Sequence, residues 1–144
     1  MAASPILEPV VALVAWTLVM MIWLYALRLP ALGRSGFDVR NWRGGTAGQI
    51  DGLLEPRVQW PAHNYNHLTE QPTLFYAICL TLALLGQGDG PNLWLAWAYV
   101  GLRVAHSLVQ ALWNRVVVRF ALFALASLML AALTLHAAMG LAYR

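Results

Sequence analysis

The stretch Val116–Met139 reads VVVRFALFALASLMLAALTLHAAM, with one charged side chain, Arg119, in its first turn. A helix needs about 20 mostly apolar residues to cross the hydrocarbon of a bilayer, and this stretch supplies them. Three more stretches read the same way: about Ile6–Leu27, about Asn64–Leu85 and about Leu93–Trp113. The whole chain agrees. Of 144 residues, 60% are hydrophobic and 10% charged, and nine arginines stand against six carboxylates with no lysine. A soluble domain carries about a quarter charged residues, so an ordinary soluble globule is excluded. So is a disordered chain, which could not bury this much apolar surface. The sequence predicts one all-α domain over 1–144, an integral membrane four-helix bundle.

The loops orient it. Arg28, Arg34, Arg40, Arg43 and Arg57 lie between the first two spans and Arg115 between the last two, whereas the turn Gly86–Asn92 carries Asp89 and no arginine. The positive-inside rule then puts both termini outside, with the long loop of about 30–61 in the cytoplasm. Arg144 at the outer end is a minor dissent. Trp23, Trp60, Trp94 and Trp113 fall near span ends, where amphipathic rings prefer the interface. The first span has no basic residue ahead of its apolar run and no small-residue cleavage site after it, so it is read as a retained span. Arg43-Gly44-Gly45 is one isolated copy beside a membrane, a flexible turn near anionic headgroups and no sign of nucleic-acid binding. Cys79 stands alone, which excludes an internal disulfide.

Ionisable groups inside a span are expensive, and each is a functional candidate. Here they cluster. The second span opens with His63-Asn64-Tyr65-Asn66-His67-Leu68-Thr69-Glu70-Gln71-Pro72. His63, His67 and Glu70 share a helical face, and Asn66 overlaps it. Pro72 cannot donate to the carbonyl of Leu68, so a bend or a free acceptor is expected there. The third span carries Tyr99, Arg103, His106, Gln110 and Asn114 on one stripe, and Arg119 opens the fourth. At 1.5 Å per residue Glu70 lies about 10 Å and Arg103 about 15 Å from the cytoplasmic end. One polar crevice between helices, open to the cytoplasm, is the economical inference. Two arginines outnumber Glu70, which favours an anion, or a zwitterion whose amine meets Glu70. A structural Glu70–Arg103 ion pair is the plainer alternative. A metal held by His63, His67 and Glu70 is the competing sharp reading, disfavoured by the nearby Arg103, which would repel a dication.

These residues resemble the MAPEG family, membrane-associated proteins of eicosanoid and glutathione metabolism, in a divergent bacterial-type form. Glu70, the run Arg103-Val104-Ala105-His106 and Arg119 fall at the separations of that family's Asn-x-x-Glu, Arg-x-x-His and span-four arginine. The segment Pro72-Thr73-Leu74-Phe75 is similar too. The sequence departs from the pattern at His67, where the family has asparagine, with Asn66 one residue early. Gln110 stands where catalytic members have a tyrosine that donates to the glutathione thiolate. Phe120 replaces a serine of some members and Phe123 a second tyrosine.

The resemblance implies a homotrimer in a bacterial inner membrane, with sites between subunits and glutathione as the bound thiol. It implies ligand binding by Asn66, His67, Glu70, Arg103 and His106, and catalytic roles for Arg119 and Gln110, toward a lipophilic small-molecule electrophile. Gln110 has an amide but no acidic hydroxyl, so thiolate stabilisation would fall to the charge of Arg119 or of a protonated His106. A different class of reading is a non-catalytic accessory subunit of the same fold, whose polar cluster would be satisfied within itself.

Overall fold

The computed structural model describes residues 3–38 and 40–143, and of Ala47 and Asp51 the backbone alone. Arg144 lies outside the described residues. Among the described residues six helices follow in order: α1 Leu7–Arg34, α2 Ala47–Asp51, α3 Pro56–Glu70, α4 Pro72–Leu84, α5 Gly90–Leu112 and α6 Val116–Ala142. No strand occurs among the described residues. α5 packs most extensively on α6, α1 lies along α3, and α3 and α4 both reach α5 or α6. Ile6, Leu13, Met20, Phe75, Cys79, Leu82, Tyr99, Ala126 and Leu133 form the buried seam between them.

Two helices, α1 and α6, are long and apolar enough to cross a membrane. Only 17% of the most apolar window of each is buried, so neither is the core helix of a soluble protein. Their outward faces carry Val11, Leu18, Ile22, Val117, Leu128 and Leu135, all exposed. α5 has the length at 23 residues, but its buried Arg103, His106, Ser107 and Gln110 reduce its apolarity. The expected second span is two helices of 15 and 13 residues, because Pro72 lacks the N–H that would continue the ladder. Gln71 between them keeps helical dihedrals (φ −60°, ψ −37°), so the rod passes on with broken bonding and no loop. The carbonyls near the break find other donors: Thr73 Oγ1 bonds Glu70 O at 2.6 Å and Thr69 Oγ1 bonds Asn66 O at 2.8 Å.

The helices outrun the apolar stretches at the basic end. α1 continues through Pro30 to Arg34, and α3 starts at Pro56, eight residues ahead of the apolar run. A proline at the first helical position lacks an N–H that would be unpaired there anyway. The connection between them is therefore shorter than 30–61, and it is built. Asp38 accepts from the backbone N–H groups of Arg40 (3.2 Å) and Asn41 (3.3 Å). The Asn41 side-chain amide, with these N–H groups, holds the Asp38 carboxyl below the usual carboxylate range. Thr46 and Gln49 form a capping box on α2, and Gln59 Nε2 donates to Ile50 O at 3.2 Å, tying α2 to α3.

At the other end the Ile6 N–H donates to Gly88 O at 3.0 Å, which fixes the start of α1 on the α4–α5 turn. A Cβ on Gly88 would run into the side chains of Ser4 and Ile6, the latter fully buried. Gly88→Ala is therefore expected to lower stability by about 1–3 kcal/mol, the usual range for overpacking. Gly101→Ala, where a Cβ meets open space, should leave stability unchanged or raised. Thermal unfolding of the detergent-purified variants checks the contrast.

Candidate functional site: a buried guanidinium beside an amphipathic cavity

The break at Gln71–Pro72 faces α5 and α6, and the candidate site is built on it. Arg103 is fully buried. Its Nη2 donates to the backbone carbonyl of His67 at 2.7 Å, and its guanidinium sits 5.8 Å from the ring centroid of Phe123. Among the described residues its Nε and Nη1 have no partner. Glu70 does not pair with it. The Glu70 side chain is 69% exposed and approaches His67 Nδ1 at 3.5 Å. The alternative of a Glu70–Arg103 ion pair thus gives way to a charge–carbonyl bond, because the register of α3 turns Glu70 outward while His67 stays at the α5 side.

Gln71 ties the break to both neighbours. Tyr99 OH donates to its Oε1 at 3.3 Å, and its Nε2 donates to Ser127 Oγ at 2.7 Å. Ser127 Oγ in turn donates to Phe123 O at 2.8 Å. The Phe75 ring stacks on Tyr99 with centroids 4.3 Å apart. The small residues at Ser127 and Ala126 let α6 come this close.

Arg119 is delivered by the α5–α6 turn. Asn114 takes the left-handed conformation (φ 54°), which asparagine tolerates, and its Oδ1 accepts from Arg119 Nη1 at 2.6 Å. Arg119, His67 and His106 line one cavity of about 210 Å³, whose other walls are Val116, Phe120 and Phe123. The two imidazoles meet edge to face, centroids 6.0 Å apart. The lining thus combines two imidazoles and a guanidinium with two phenyl rings and a valine. Val116 and Phe120 are themselves more than two-thirds exposed, so the apolar side continues onto the outer surface. Arg103 lies directly behind His67 and Phe123.

Of the sequence-predicted residues, the cavity unites Arg119, His67 and His106, with Arg103 as its backing. Gln110 is buried on the same helix with its Oε1 unpartnered, but does not line the cavity. Asn66 and Glu70 stand exposed and do not line the cavity, although Glu70 touches its wall residue His67. Among the described residues no three His, Cys, Asp or Glu side chains gather closely enough to hold a metal. Sequence reasoning missed Asn64, which is fully buried with neither amide atom partnered, and Ser107, buried with an unpartnered Oγ. Asn64 and Gln71 are seven apart on the stripe that carries Leu68 and Phe75, and that spacing was the available signal.

The sequence profile described as the MAPEG family matches residues 6–139. That covers nearly all of the chain, and the protein belongs to the MAPEG family. With two apolar, lipid-capable helices, it is a membrane protein. Comparison with curated proteins and with solved structures returned no match.

The Gln71–Ser127 bond couples the break to α6, and its worth is measurable. Gln71→Leu and Ser127→Ala should each destabilise. The double variant should fall short of their sum by about 1 kcal/mol, since both remove one shared hydrogen bond. Strict additivity in detergent unfolding would deny that bond.

Proposed function

We propose that this MAPEG-family chain forms a homotrimer of four-span bundles and binds glutathione, or a similar anionic thiol, at the Arg119–His67–His106 cavity, on the cytoplasmic side of the membrane. The observation that carries the reading is the buried Arg103, with Nε and Nη1 unpartnered, immediately behind a cavity that a second arginine lines. A buried cation whose one close partner is a carbonyl leaves a large part of its charge uncompensated, and an anion in the cavity answers that charge in a low-dielectric setting. The accessory-subunit reading requires a cluster satisfied within itself. Unpartnered atoms on Asn64, Arg103, His106, Ser107, Gln110 and Arg119 weigh against it, each unmet buried group costing about 1–3 kcal/mol.

In this reading Arg119 and Arg103 attract the ligand carboxylates, His67 and His106 orient the peptide, and Gln110 supports from one turn nearer the cytoplasmic end of α5. Asn66 and Glu70 lie exposed together with His63 and Thr69 on α3, a polar surface that is unfavourable against lipid. A neighbouring subunit covering that face would return them to a polar site, with Glu70 on the ligand amine. The chemistry is thiol transfer. The thiol passes its proton to water at the open mouth of the cavity, Arg119 stabilises the thiolate, and the sulfur attacks an electrophilic carbon to form the S–C bond as the leaving group departs with the electron pair of the bond that breaks. A lipophilic electrophile would enter along Val116 and Phe120.

Calorimetric titration of glutathione into the detergent-purified protein tests the reading. Saturable binding is expected in the native chain and its loss in Arg103→Met. That variant should unfold at or above the native temperature, because an apolar side chain of similar length replaces an imperfectly paired buried charge. No binding up to several millimolar by a folded protein would remove glutathione as the ligand. Thiolate absorption of the bound ligand should weaken in Arg119→Gln more than in Gln110→Leu, since Arg119 lines the cavity and Gln110 does not.

A further inference from the structure

A second polar cluster lies at the opposite end of the molecule, where the α4–α5 turn meets the last turns of α6. Asn92 Nδ2 donates to the backbone carbonyl of Gln87 at 2.9 Å. A carbonyl oxygen can only accept, so this bond fixes the Asn92 amide with its Oδ1 toward α6. That Oδ1 lies 2.6 Å from His136 Nδ1. It too can only accept, so Nδ1 carries the hydrogen, and in the neutral ring Nε2 presents a bare lone pair. The tautomer of His136 is thus set by the backbone of another element. Such held imidazoles are how a site presents a defined acceptor.

His136 lines a cavity of about 440 Å³ together with Gln87, Asn92, Met139, Gly140 and Tyr143. The Gln87 carboxamide lies against Gly140, where a Cβ would sit 2.7 Å from its Nε2, so the glycine makes the room this side chain occupies. Among the described residues the α4–α5 turn that supplies Gln87 carries one charged group, the exposed Asp89. Tyr143 and Met139 in the lining, and Leu141 next to Gly140, are exposed apolar side chains. The lining therefore combines acceptors with an apolar border, next to an acidic turn.

We propose that this cavity is a lipid site that binds the primary ammonium headgroup of an ethanolamine phospholipid in the leaflet opposite the Arg103 site. The ammonium donates to His136 Nε2 and Gln87 Oε1, and the acyl chains run along Met139 and Leu141. A choline headgroup has the same charge but no N–H to donate, so the site discriminates between the two. This inference is independent of what binds near Arg103.

The test is native mass spectrometry of the delipidated full chain, titrated with ethanolamine and choline phospholipids of identical acyl chains. The native protein is expected to favour the ethanolamine lipid by about fivefold, as one well-made hydrogen bond would give. His136→Phe should abolish the preference. Gln87→Leu should also weaken it, and this variant keeps the fold's tether because Asn92 bonds the Gln87 backbone. Equal retention of both lipids by the native protein would overturn the proposal, as would an unchanged preference in both variants. Displacement of the lipid by free phosphoethanolamine at matched concentration would overturn the lipid assignment in favour of a soluble amine.

Discussion

A guanidinium that meets a backbone carbonyl inside a helical bundle is the constraint on which this structure turns. Arg103 is fully buried and bonds His67 O four residues before Gln71, the point where Pro72 interrupts the helix. An unbroken, fully bonded helix offers its carbonyls little freedom to serve a side chain. Pro72 removes the donor that Leu68 O would meet, one residue from the carbonyl that Arg103 uses, and Gln71 then anchors the segment to Tyr99 on α5 and Ser127 on α6. The same small set of bonds therefore holds three helices together and aims a cation at the space between them. Stability and charge placement are here one arrangement.

The energetic consequence runs toward function. A buried ion pair often contributes little net stability, and a buried cation with an incomplete set of partners contributes less. Arg103 stands in that position, backed by Phe123 at cation–π distance and by the polar but uncharged Ser107 and Gln110 one and two turns on. Arg119 adds a second positive centre at the cavity wall, held by Asn114 in a conformation that ends α5 and starts α6. Two cations focused on a cavity with aromatic walls suit an amphipathic anion better than they suit a packing role.

Much of this was legible in the sequence, and the rest failed for identifiable reasons. The stripe Tyr99, Arg103, His106, Gln110 is buried as its spacing requires, since α5 is regular and 3.6-residue periodicity applies throughout it. The break before Pro72 followed from one missing N–H. Opposite charge offered a Glu70–Arg103 pair as the plainer alternative, but rotation about α3 decides that point and a carbonyl takes the role. Asn66 was favoured over Asn64 by analogy of motif, although Asn64 falls on the buried stripe. The extents of α1 and α3 were underestimated because apolarity marks where lipid begins, and helices run past that boundary into polar sequence. The His136–Asn92 bond spans 44 positions and two elements, and no local pattern encodes it.

The most direct test of the central claim is the response of Arg103 itself. In arginine-¹⁵N-labelled protein the Nε–H resonance of Arg103 is identified by its absence from Arg103→Met, and then followed as glutathione is added. The account predicts a saturable shift and slower hydrogen exchange at that one site, as ligand charge meets the unpartnered guanidinium. An Arg103 resonance that stays unchanged while glutathione saturates the protein would place the ligand elsewhere and contradict the account.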